Sequence, residues 1–383
     1  MAIPFTRALV TGTEHENVKQ ALEDGSIGGT GVFGRQCQQW MEQLSPSSRV
    51  FLTTSGTSAL IFAALLADIQ PGDEVIVPSY TYVATVNAFL MRGATCVYVD
   101  VEKSTMNLDP ALLEAAITPK TRAIVPVHYA SIACDMTTIM AVAKRHKLIV
   151  IEDAASSLTS AYKGKPLGSI GHIGCFSFHA TKNFTAGGQG GAIMVNDPNL
   201  LARAEVIYEN GTNRRQLARG EVSRYEMLDL GANFYMSEVS AACLAGQLVM
   251  AEHVSARRRQ LWEVYYARLK GLAVAGHVEL PRVPDHCVHN GNIFWFKTRT
   301  RSIRDTFIRF MKDAGIVVLF HFTPLHSSVF GEKTGRFSGL DRHTTVESEK
   351  LVRLPLYYDM TDEEQRTVLH HIERFFEEDE KVS

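Results

Sequence analysis

A lysine just after a short buried-looking strand, in FSFHATKNFTAGGQGGAI, is the residue here with the widest chemistry. Ser177, His179 and Lys182 stand together there, and Gly187, Gly188, Gly190 and Gly191 follow in a loop. A primary amine at a strand end can form a Schiff base with a carbonyl carbon. A solvated surface lysine would look the same when read alone. The second feature is Glu152-Asp153, which closes the apolar run LIVIED. A carboxylate at the C-terminal edge of a parallel strand faces the crevice where α/β proteins bind ligands. A solvated strand-end acid also fits. The third is Thr54-Ser55-Gly56-Thr57-Ser58, between a short strand (RVFL) and an apolar helical segment. A helix N-terminus offers unpaired amides and the positive end of the dipole, which suit a phosphate. An ordinary Ser/Thr cap fits the same residues. Together these features supply an anion cradle, an acid for a ring nitrogen and an amine. Those are the protein parts a pyridoxal phosphate site needs.

Other motifs carry less. Gly29, Gly31 and Gly34 match a GxGxxG pattern. A dinucleotide fingerprint needs a preceding strand and an acidic residue at the next strand end. Both are missing, so a glycine-rich substrate loop is the expectation. Arg214, Arg215, Arg219 and Arg224 lie in a polar stretch, 210–226. They suit a solvated loop, or bidentate contact with a pyrophosphate or carboxylate. The six cysteines form no CxxC pair, and no histidine pair has helical metal spacing with a third ligand nearby. No metal site and no disulfide framework are expected. Lys and Arg number 39 against 41 Asp and Glu, so 39 − 41 = −2. This balance gives no footprint for nucleic-acid binding. The start of the chain lacks a basic segment followed by an apolar one, and no apolar run reaches the ~18 residues of a spanning helix. A cytoplasmic protein without membrane contact is the expectation.

These residues need elements to hold them. Short Val/Ile-rich runs at 73–78, 94–100, 122–127, 147–153, 174–178 and 191–195 read as strands buried on both faces. Helical segments at 58–69, 111–117 and 137–147 separate them. The alternation predicts an α/β fold with a mainly parallel sheet in a large domain. From Ser237 towards Leu272 one long helix is expected. Strands at 292–298 and 316–320, a helix at 302–315 and a tail helix capped by Thr361 follow. This pattern predicts a smaller α+β C-terminal domain, with the division between residues 1–250 and 251–383.

Over nearly its whole length the chain resembles the nucleotide-sugar aminotransferases of the type I aminotransferase fold. The resembling strings are TTSGTSAL (53–60), PSYTYVATVNAF (78–89), VIEDAA (150–155), SFHATKN (177–183), GGQGGAI (187–193) and LGANFYMSEVSAA (230–242). Within that family, IQPGDEV (69–75), the stretch 162–179, and the PLH and RLPL segments near the C-terminus resemble members acting on dTDP-4-keto-6-deoxyglucose. The resemblance implies pyridoxal 5′-phosphate as cofactor, with pyridoxamine phosphate formed in the cycle. It implies L-glutamate as donor and 2-oxoglutarate as its product. A nucleotide-linked keto-sugar would be the acceptor, and the aminated sugar would be destined for a surface polysaccharide. Lys182 would bond the cofactor and carry protons, and Asp153 would pair with the ring nitrogen. Gly56, Thr57 and Ser177 would hold the phosphate, Tyr82 would stack on the ring, and His179 would lie beside the reacting carbon. Asn233 would reach the phosphate of a partner subunit, making a homodimer with shared sites. His321 and His326 would line the sugar pocket. Ser156 stands where relatives carry Gln or His near the cofactor's phenolic oxygen, and Gln189 replaces a frequent Glu. Lys182 itself favours transamination over the related dehydratases, which carry histidine there. Transamination at sugar C3 is the alternative within the same fold.

Overall fold

The computed structural model describes residues 2–29 and 31–382. Thr30, inside the glycine-rich stretch, lies outside them. An eight-stranded sheet organises the first two-thirds of the chain. From one edge to the other its strands are Arg49–Thr53, Gly191–Val195, Ile173–Ser177, Ile149–Asp153, Thr121–Ile124, Glu74–Pro78, Thr95–Val99 and Gly335–Phe337. Gly191–Val195 runs antiparallel to both its neighbours, and the other pairings are parallel. The predicted mainly parallel α/β sheet is therefore present. Apart from the edge strand Gly335–Phe337, its strands are largely buried on both faces, which is why they read as continuous rather than alternating apolar runs.

Helix Gly56–Leu66 packs on strands Ile173–Ser177 and Gly191–Val195 and is buried around most of its circumference. It begins two residues earlier than the apolar run suggests, because Ser55 caps it by accepting from the Ser58 amide at 3.0 Å. That small difference places Gly56 and Thr57 in the first turn.

The C-terminal part builds a three-stranded antiparallel sheet from Val278–Glu279, Phe294–Thr298 and Leu351–Leu354. Helices Ala251–Val274, Arg301–Asp313 and Asp362–Val382 enclose its own apolar core. Thr361 does cap the last helix: its hydroxyl accepts from the Glu364 amide, and Glu364 accepts from the Thr361 amide in return. Strand Gly335–Phe337 leaves this part to extend the edge of the large sheet.

Two expectations fail here. The long helix is two, Glu238–Leu248 and Ala251–Val274. No Gly or Pro marks the break at Val249-Met250. The first helix is buried against Glu14–Glu23 and Val32–Leu44, whereas the second turns to the C-terminal core. Their partners, not their propensities, set the break. Residues 316–320 form no continuous strand but two isolated bridges, Ile316 to Ile3 and Leu319 to Arg353. Val317, Leu319 and Phe320 are exposed, so the apolar run has no second strand to bury it. Among the described residues no helix is long and apolar enough to cross a membrane.

Candidate active site

A cavity of about 530 Å³ opens at the C-terminal ends of the parallel strands, where the large sheet meets the C-terminal part. Strand Ile149–Asp153 ends in it with Asp153, which is 6% exposed. The carboxylate accepts from the Thr85 hydroxyl at 2.8 Å and from the Ala155 amide at 3.1 Å. Thr85 sits on helix Val83–Leu90, so two elements fix the orientation of one acid. Its neighbour Glu152 points to the other face of the strand. There it bonds His128 and the amides of Gly168, Ile170 and Gly171, holding a turn rather than a ligand.

Lys182 reaches the same cavity from the turn after strand Ile173–Ser177. Its Nζ donates to the Ser156 hydroxyl at 2.7 Å. Burial pushes the pKa of this amine below its usual value; Asp153 opposes the shift and Arg353 adds to it. The neutral, nucleophilic form is therefore favoured more than on a surface lysine. Ser156 thus meets Lys182 directly.

Ser55, Gly56, Thr57 and Ser177 line the cavity as well. The first amides of an α-helix have no internal partner. Ser55 occupies that of Ser58, which leaves those of Gly56 and Thr57 for a ligand. A Cβ on Gly56 would stand 2.7 Å from Cβ of Ser177, so only glycine lets this helix start approach the strand end. The cradle suits a phosphate bound through backbone amides and hydroxyls.

Tyr82 and His179 also line the cavity. Tyr82 is 61% exposed, so its ring is free to cover a ligand. His179 Nδ1 accepts from the Thr181 amide at 3.3 Å and meets the Thr181 hydroxyl at 2.9 Å. His321 stacks on Phe322, with ring centroids 3.8 Å apart. Burial first, then Arg353 and Lys182, push its pKa down to about 2, so it is neutral at ordinary pH.

The remaining predicted residues lie elsewhere. His326 does not line the cavity; it bonds the Ser79 hydroxyl and pairs with Asp341, anchoring the turn at 324–327. Arg214 starts helix Arg214–Ala218, and Arg219 pairs with Glu205 and Glu221 on the surface. Neither lines this chain's cavity, nor does exposed Asn233. The glycine-rich stretch does not line this chain's cavity. Glu238 reaches into the start of helix Val32–Leu44 and accepts from the amides of Gly31, Phe33 and Gly34. A Cβ on Gly31 would strike that carboxylate, so the anion at this helix end is the protein's own.

Thr85 and Arg353 belong to the cavity but stand outside the predicted set. Alternation offers a signal for Arg353. In Leu351–Leu354, Val352 and Leu354 enter the C-terminal core, so the residue between them faces the opposite way.

An amine, a held carboxylate and a glycine-dependent amide cradle around one cavity fit an aromatic aldehyde that carries a phosphate and a ring nitrogen. Comparison with known proteins agrees. The profile of the DegT/DnrJ/EryC1/StrS aminotransferase family matches residues 10–373. An aminotransferase from Psychrobacter cryohalolentis is 27% identical with a TM-score of 0.91, covering 98% of this chain and 99% of its own. S. venezuelae DesV is 27% identical with a TM-score of 0.88, covering 98% of each chain. The PLP-form of a sugar aminotransferase, Spr1654, from Streptococcus pneumoniae is 25% identical with a TM-score of 0.88 over 99% of both chains. The chain belongs to the DegT/DnrJ/EryC1/StrS aminotransferase family, and it is an enzyme that works with pyridoxal phosphate.

Proposed function

We propose that this enzyme moves an amino group from L-glutamate to the ketone of a nucleotide-linked sugar. In this reading the acceptor is dTDP-4-keto-6-deoxyglucose and the product dTDP-4-amino-4,6-dideoxygalactose. The observation that carries it is Lys182 with a lowered pKa in the cavity that also holds Asp153 and the open first-turn amides of Gly56 and Thr57. When bound, pyridoxal phosphate supplies the aldehyde carbon that carries nitrogen between substrates and a ring that takes up electron density. In this assignment Gly56, Thr57 and Ser177 bind its phosphate, and Asp153 holds a proton on its ring nitrogen. Tyr82 covers the ring, and Ser156 orients the Lys182 amine. Lys182 Nζ takes and returns the substrate proton as general base and acid. His179 and His321 border the space left for the sugar.

The sugar as acceptor is supported by the motifs that resemble nucleotide-sugar aminotransferases and by the likeness to a sugar aminotransferase. A homodimer accounts for Asn233, which is exposed and outside its own cavity and so is free to complete the site of a partner. The same reading divides the chain into domains at 250/251, between the two helices, and places the enzyme in the cytoplasm. Replacing Lys182 with Ala tests the assignment. Turnover of glutamate and keto-sugar should fall by at least about 1,000-fold, since proton transfer and the covalent anchor are both lost. Turnover at the native rate would remove Lys182 from its role.

A further inference from the structure

The Lys182 amine and the Ser156 hydroxyl meet at 2.7 Å, yet neither residue lies in a helix or a strand. Their contact needs anchors of its own, and Asn290 supplies them. Asn290 comes from the turn 289–292, ahead of strand Phe294–Thr298 in the C-terminal part, and it is fully buried. Its side-chain amide donates one hydrogen to the Ser156 carbonyl at 2.8 Å and the other to the Leu158 carbonyl at 2.7 Å. Its own main-chain carbonyl accepts from Asn183 Nδ2 at 3.1 Å, and Asn183 follows Lys182 in the chain. One residue therefore grips the backbone that carries the acceptor and the neighbour of the donor.

The network has a single orientation. Asn290 Oδ1 accepts from the Asn292 amide at 3.0 Å. A flipped Asn290 side chain would set oxygen against two carbonyls and nitrogen against an N–H. Asn183 Oδ1 accepts from Asn292 Nδ2 at 2.8 Å, which fixes the Asn183 amide in the same way. Asn183 and Asn292 are 3% and 7% exposed, so these bonds form away from bulk water and hold their partners tightly. Arg258 holds the turn itself through the carbonyls of Gly291 and Asn292. The small cavity lined by Ser156, Lys182, Asn183 and Asn290 encloses only about 10 Å³, so the amine has little room to retreat. Asn290 does not line the large cavity, and any effect on the chemistry passes through Ser156 and Lys182.

We infer that Asn290 is a positioning residue for the Lys182 amine: through this side chain the C-terminal part sets where Ser156 and Lys182 stand relative to each other. The inference rests on the proposed role of Lys182 as base and acid, and adds what holds that base in place. It also makes the geometry of the amine depend on how the turn 289–292 is docked. A base displaced by a fraction of a bond length loses much of its value in proton transfer.

The test compares the native chain, Asn290→Ala and Glu238→Ala, the last removing a buried anchor elsewhere in the fold. In apoenzyme, acylation of Lys182 is followed by mass spectrometry against pH. Removing the Asn290 side chain enlarges a void between polar groups, which water then fills. Water favours the ammonium form, so the midpoint in Asn290→Ala should rise from its lowered native place towards 10.5. Glu238→Ala should keep the native midpoint. In holoenzyme, the reaction with L-glutamate is followed by absorbance. Its saturated rate should fall by about 100-fold in Asn290→Ala, the scale of a misplaced catalytic group, while the half-saturating concentration moves by less than about threefold. An unchanged or lowered midpoint in Asn290→Ala overturns the inference, as does an equal rise in Glu238→Ala or an unchanged rate in Asn290→Ala. If Asn290→Ala does not fold, Asn183→Ala takes its place, since it removes the side chain bonded to the Asn290 carbonyl. A native midpoint in that variant then overturns the inference. Native holoenzyme that fails to react with glutamate would count against the proposed donor, while the labelling midpoints would still decide the role of Asn290.

Discussion

The central residue-scale fact is that a lysine in an enclosed, positively charged place becomes a usable base. Burial and Arg353 both disfavour the ammonium form, and Asp153 only partly offsets them. The apoenzyme, with Lys182 free, should reveal this. The rate of acylation at Lys182, followed by mass spectrometry against pH, should rise with a midpoint below the usual 10.5. The sign follows from the causes: a group whose charged form is destabilised loses its proton at lower pH. A midpoint at or above 10.5 would mean that Asp153 dominates and the amine is stored as a cation. At this scale the sequence was informative where a residue's chemistry and its strand-end position coincide. Lys182, Asp153, Gly56 and Ser177 all sit at the ends of strongly apolar runs or beside them. It was less informative for Arg353, where alternation gives the direction of facing but not what is faced, and uninformative for His326. An arginine within a short strand and a histidine in a loop look alike in sequence whether they face a cavity or an anchor.

At the scale of elements, what positions the site is the meeting of helix starts with strand ends. Those contacts depend on internal anions as much as on apolar packing. Glu238 is the clearest case. It is 2% exposed, and it occupies the start of helix Val32–Leu44 through the amides of Gly31, Phe33 and Gly34. Glu238→Ala leaves those amides buried without partners. We expect a loss of about 3 kcal/mol in unfolding free energy, several times that of an exposed acid on the same helices. Denaturant unfolding measures it, and a loss under about 0.5 kcal/mol would contradict the anchoring role. The element order of the sheet was readable from periodicity because both faces are buried. The break at Val249-Met250 and the irregular run 316–320 were not readable, because both depend on which partner each apolar face finds.

For the whole molecule, the cavity forms where the large sheet meets the C-terminal part. Arg258 is fully enclosed and donates to the carbonyls of Gly291, Asn292 and Leu356, clamping helix Ala251–Val274 to segments that line the cavity. If the proposed homodimer shares its sites, Lys182→Ala and Asn233→Ala damage different halves of one site. Refolding an equal mixture of the two variants should then restore activity. Random pairing makes half the dimers mixed, each with one intact site, so about a quarter of native activity should return. Recovery no greater than the sum of the separate variants would place Asn233 within its own subunit's function or outside the site.

The measurement closest to the central claim is the fate of the donor nitrogen. Holoenzyme is incubated with ¹⁵N-labelled L-glutamate and dTDP-4-keto-6-deoxyglucose, and the sugar product is read by NMR. The account predicts ¹⁵N bonded to C4 in the galacto configuration, with 2-oxoglutarate formed in equal amount. Nitrogen on C3, or a sugar recovered without ¹⁵N while glutamate is consumed, would contradict it.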